Sequence, residues 1–127
     1  MKRITCSIAL TVGVSLFGCL DPFAPPIGAY RFTPPPVYRT LWDSVEACSS
    51  LRGDFALVRW FAVPGALIPY GGVDANGVWK PRHNIYLSED AAFSSAAGYF
   101  TVRHEMLHDL MQGGADHSPV FRRCGLG

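Results

Sequence analysis

The sequence predicts a small α+β domain, and three observations carry that prediction. Leu41, Trp42, Val45 and Cys48 recur at three- and four-residue spacing, the pattern of an amphipathic helix. Phe55 to Val63 is rich in β-branched and aromatic residues and stops at Pro64-Gly65, as a central strand does. A second helical stretch runs from about Ala96 to Gln112 and is stopped by Gly113-Gly114. Helix, strands and helix in that order put the last helix against a short, mostly antiparallel sheet.

The first helix is expected over Leu41 to Leu51, with Thr40 and Asp43 as a capping box and Gly53 as its stop. After the Phe55–Val63 strand, Leu67 to Asp74 and Val78 to Lys80 flank Asn76-Gly77, which signals a type I′ hairpin turn. Asn84 to Leu87 reads as a further short strand. Ser88, Glu89 and Asp90 mark a turn, and Ser94 or Ser95 can cap the second helix. The 127 residues suffice for one domain. A net charge of +1 gives no electrostatic footprint for a nucleic-acid partner.

The N-terminus has the parts of an export signal. Lys2 and Arg3 precede an uncharged apolar stretch, Ile8 to Phe17, too short to span a bilayer. Leu16-Phe17-Gly18-Cys19 follows, and it resembles the lipobox of bacterial lipoproteins. That resemblance implies a signal peptide over 1–18, cleavage before Cys19 and a lipid on Cys19. The chain is then expected to be exported and membrane-anchored, on the periplasmic or outer-surface side. Residues 19–37 carry Pro22, Pro25, Pro26 and Pro34-Pro35-Pro36, the composition of an extended, semi-rigid tether. The domain proper is expected over 38–127. With Cys6 lost with the signal and Cys19 lipidated, Cys48 and Cys124 remain in an oxidising compartment. They are expected to form a disulfide tying the first helix to the C-terminal end.

The second helix carries His104-Glu105-Met106-Leu107-His108, an HExxH motif. Four residues make little more than one helical turn, so both imidazoles leave one face and can share a metal ion. Glu105 is turned away from the pair and does not crowd it. A catalytic zinc takes three protein ligands and keeps a position for water. No glutamate follows Glu105, and Gly114 stands six residues after His108, where a metzincin would place a histidine. His117 comes nine residues after His108 and opens an HxxxF that ends at Phe121.

HExxH, a glycine turn and HxxxF together resemble the SprT-like and WLM zincin families, over the last twenty-odd residues of the chain. The resemblance implies a zincin-like domain in which His104, His108 and His117 hold zinc and Phe121 packs behind them. It implies that Glu105 is the general base of a zinc-dependent peptide-bond hydrolase. Asp116 is the alternative third ligand, in the manner of the aspzincins. Asp109 either orients a ligand histidine or is a solvated helix charge, and Asp116 could orient His117 in the same way. The DNA-linked substrates of SprT-like proteins do not carry over to an exported domain without a basic stripe. The expected substrate is a peptide or protein in the envelope, extended beside the Asn84–Leu87 strand. Tyr86, Tyr99, His83, Arg122 and Arg123 are the candidates for stabilising an oxyanion. The competing reading is a non-catalytic envelope lipoprotein, structural or binding, or one holding zinc in a closed site with His83 as the fourth ligand.

Overall fold

A computed structural model describes residues 24–113 and 118–127. The expected signal segment, the lipidation site Cys19 and the tether up to residue 23 lie outside the described residues. Six strands and four α-helices form a small α+β fold: β1 (Tyr30–Arg31), α1 (Val37–Ser49), β2 (Arg59–Val63), β3 (Ile68–Tyr70), β4 (Val73–Ala75), β5 (Gly77–Lys80), β6 (Asn84–Ser88), α2 (Glu89–Phe93), α3 (Phe100–Met111) and α4 (Pro119–Arg123). Among the described residues no helix is long and apolar enough to cross a membrane.

The main sheet has the order β1-β2-β6-β5, and β3 pairs with β4 in a separate hairpin. Three ladders are antiparallel, but the central one, β2 with β6, is parallel. The sheet is therefore mixed. Its parallel centre has a reason in the sequence. Trp60 and Phe61 point to opposite faces, as do Tyr86 and Leu87, so both central strands need cover on both sides. On one face Trp60, Ile85 and Leu87 meet Tyr38, Trp42 and Val45 of α1 and Val102, Met106 and Leu107 of α3. On the other, Val63, Val78 and Tyr86 are covered by Ile68 of the β3–β4 hairpin.

Several boundaries differ from the expectation, each for a local reason. The sheet begins inside the segment expected to be tether. Tyr30 and Arg31 pair with Ala62 and Phe61, and Phe32 packs edge-on against Tyr38, Trp60 and Phe93. The Ala24 carbonyl accepts a hydrogen bond from Lys80. Helix α1 starts directly after Pro34-Pro35-Pro36, because proline suits the first turn of a helix as well as it suits an extended tether. Thr40 thus sits inside α1, and Asp43 pairs with Arg39 one turn back instead of closing a capping box. Ser50, at φ 62°, takes the left-handed closing position in place of Gly53. The hairpin turn is made by Gly71-Gly72, both at positive φ, and not by Asn76-Gly77. Finally, β6 lies inside the sheet, flanked by β2 and β5, so the outer strands are β1 and β5 and not the Asn84–Leu87 strand.

Cys48 and Cys124 are joined by a disulfide, with Cα atoms 5.4 Å apart. It ties the last turn of α1 to the end of α4. Arg123 reinforces the junction by donating to the Cys48 and Ser49 carbonyls at the C-terminus of α1. The bridge closes a sequence separation of 76 residues, and closure of such a loop contributes about 4–5 kcal/mol through the unfolded state. The Cys48→Ser/Cys124→Ser variant is expected to lose stability of that order in denaturant unfolding. An unchanged midpoint would show that the bridge does not constrain the chain.

Candidate metal centre

Helix α3 packs beneath β5 and β6 and beside α1. Val102, Met106 and Leu107 point into the core, which leaves His104, Glu105 and His108 on the side facing β5 and α4. The helix stops at Gln112, whose left-handed conformation (φ 48°) swings the Gly113 carbonyl back onto His108.

The two imidazoles are held by the backbone. His104 Nδ1 lies 2.7 Å from the Leu126 carbonyl oxygen, and His108 Nδ1 lies 2.8 Å from that of Gly113. A carbonyl accepts only, so each Nδ1 carries the proton and each Nε2 presents a lone pair. The two Nε2 atoms stand 3.2 Å apart. Two ligands about 2.0–2.1 Å from a tetrahedral zinc are separated by about 3.3–3.4 Å. The spacing of the pair therefore fits that of two ligands of one zinc ion. Phe121 is fully buried, with ring centroids 4.9 Å from His104 and 4.7 Å from His108, behind both rings as the HxxxF pattern implies. Trp79 stacks on His108 from the sheet side at an interplanar angle of 20°.

His117 and Asp116, the expected third ligand and its alternative, lie outside the described residues. Among the described residues no group of three or more His, Cys, Asp or Glu side chains gathers to hold an ion.

Glu105 is 5% exposed. Burial pushes its carboxyl up to about 8, and a hydrogen bond from the Trp79 backbone N–H works against that rise. The carboxylate has room because residue 77 is glycine. A Cβ there would lie 2.8 Å from Glu105 Cγ, 3.0 Å from its Oε1 and 2.8 Å from Thr101 Cγ2. The glycine that looked like half of a turn is required by the close approach of the edge strand to α3.

The remaining candidates are distributed differently. Asp109 is buried and makes no hydrogen bond to His104 or His108. Its Oδ1 accepts from Trp79 Nε1 and its Oδ2 from His83 Nδ1, each at 3.0 Å. The indole it accepts from is the one that stacks on His108. His83 is thereby committed to Asp109, with Gln112 beside it, and does not join His104 and His108. Tyr86 stacks on Phe61 on the far face of the sheet, so it is no oxyanion partner. Arg123 is bound to the end of α1 and Arg122 is exposed on α4. Of the five candidates, Tyr99 alone lines the groove at the start of α3. Trp79, Gly77 and the carbonyls of Leu126 and Gly113 were not foreseen. Backbone acceptors leave no mark in a sequence, and a tryptophan two residues after a turn-like glycine reads as ordinary sheet.

Gly77→Ala is expected to displace the Glu105 carboxylate while leaving both histidines in place. Any metal the chain binds should be retained and any hydrolytic turnover should fall by about tenfold or more; undiminished turnover would show that the close approach is irrelevant. With metal removed by a chelator, folded Glu105 holds a proton that the unfolded chain releases near its ordinary pKa of 4.5. Stability is then complete below that pH and falls as pH rises towards 8. Thermal unfolding of the chelated protein should show this decline, and Glu105→Gln should flatten it. A flat profile in the unmodified protein would contradict burial of the carboxyl. No protein-family model matches the chain, and neither a characterised protein nor a solved structure is significantly similar to it, so the reading of this site rests on its own geometry.

Proposed function

We propose that the chain is a zinc-dependent peptide-bond hydrolase of the zincin type, acting on a peptide or protein of the cell envelope and anchored to a membrane through a lipid on Cys19. The observation that carries this reading is the helix-borne set His104, Glu105 and His108. Two Nε2 atoms lie at zinc-ligand separation, and the buried Glu105 carboxyl on the same helix lies against the outer strand β5.

In this proposal His104 and His108 hold the ion with His117, or with Asp116 as the alternative third ligand. Zinc bound there would supply a Lewis acid for the scissile carbonyl and lower the pKa of a water. The chain's own groups do the rest. An extended peptide lies beside β5, the outer strand that packs against α3. Glu105 takes a proton from the attacking water and returns it to the leaving amine. The Trp79 N–H holds that carboxylate against the strand. The Leu126 and Gly113 carbonyls keep both imidazoles in the tautomer that offers Nε2. His83, which a closed four-ligand structural site would need, is bound to Asp109.

Glu105→Gln tests the assignment of the base. The amide keeps the shape of the side chain but accepts no proton, so hydrolysis of an unstructured protein substrate should fall by about 10²–10⁴-fold. Zinc content should stay that of the unmodified chain. Equal activity in the variant would remove Glu105 from the role, and absence of hydrolysis in the zinc-loaded unmodified chain would overturn the peptidase reading.

A further inference from the structure

Beyond the three motif residues, the surface beside them is shaped. A groove of about 690 Å³ runs along the start of α3 and is lined by Asn76, Glu89, Asp90, Phe93, Phe100 and Thr101, among others. A smaller hollow of about 190 Å³ is walled by the same Asn76, Phe100 and Thr101 together with Gly77, His104 and Glu105. The two share one wall, so the groove opens directly onto the candidate metal centre from the N-terminal end of α3.

Its lining has two parts. Phe93 and Phe100 are 59% and 37% exposed, which is unusual for phenylalanine in so small a domain. At the rim stand Glu89 and Asp90, and among the described residues no lysine or arginine lines the groove. Tyr30 donates to Glu89 Oε1 at 2.7 Å, which holds that carboxylate at the rim. Ser88 caps α2 through the Ala91 N–H, so the first turn has its side-chain cap without Glu89 or Asp90.

A groove lined by two phenylalanines and two carboxylates suits one kind of side chain. A long aliphatic stem lies on the rings while a cationic head meets the acids. An acidic side chain would be repelled. A purely apolar one would bury its stem but leave the carboxylates without a counter-charge.

Resting on the peptidase reading above, we propose that this groove is the specificity subsite. It takes a lysine or arginine side chain of a peptide laid along β5, with Asp90 and Glu89 as the charge-selecting residues and Phe93 and Phe100 as the stem-binding walls.

The test is binding to the full chain carrying Glu105→Gln, which separates recognition from turnover. Fluorescently labelled hexapeptides that differ at one scanned position, with Lys, Arg, norleucine or Glu, are titrated by anisotropy. At one position Lys and Arg should bind roughly tenfold more tightly than norleucine, a preference that weakens with salt. Asp90→Asn, and separately Glu89→Gln, should each cut that preference to within about threefold. Norleucine binding as tightly as lysine at every position would overturn the subsite, as would absence of binding by all the peptides. The unmodified chain then separates the two claims. Lysine-selective binding without cleavage would sink the peptidase reading and keep the subsite, whereas cleavage indifferent to lysine would sink the subsite and keep the peptidase.

Discussion

The arrangement depends on the seating of α3 against the edge strand β5. The helix gives Val102, Met106 and Leu107 to the core, and that burial fixes its rotation. Rotation in turn decides that His104 and His108 face α4 while Glu105 enters the narrow space beneath Gly77. A side chain at residue 77 would force strand and helix apart. The carboxylate would then lose both its burial and the Trp79 N–H that now steadies it.

The C-terminal segment completes what α3 begins. Phe121 packs behind both imidazoles, the Leu126 carbonyl fixes one of them, and the disulfide from Cys124 to Cys48 anchors the segment to α1. A domain with so small a core gains from this bridge twice. It restricts the unfolded chain, and it holds the acceptor that sets the tautomer of His104. Stability and the orientation of His104 are thus coupled through a stretch of few residues. On the opposite side Asp109, buried and shared between Trp79 and His83, braces the indole that stacks on His108.

Much of this was legible in the sequence because it follows from periodicity and spacing. The i, i+4 histidines, the helical stretch beneath them, the pairing of Cys48 with Cys124 and the α+β class are local or arithmetical properties. What escaped was decided by tertiary contact. Asn76-Gly77 has the composition of a hairpin turn, yet Gly71-Gly72 makes the turn and Gly77 serves close packing. The proline run looked like tether to its end, yet proline also opens helices, and α1 begins there. Asn84–Leu87 looked like an edge strand, but strand order is not written in the residues of one strand, and β6 proved to be interior. Asp109 sits beside His108 in the chain and points away from it in space, because neighbouring residues on a helix diverge by about 100°.

The most direct test of the central claim is zinc stoichiometry. The protein is purified without a chelator or a histidine tag and compared by elemental analysis with a folded His104→Ala variant. One zinc per chain is expected in the first and loss of that zinc in the second. A folded protein without stoichiometric metal, or one whose zinc survives the loss of His104, would contradict it.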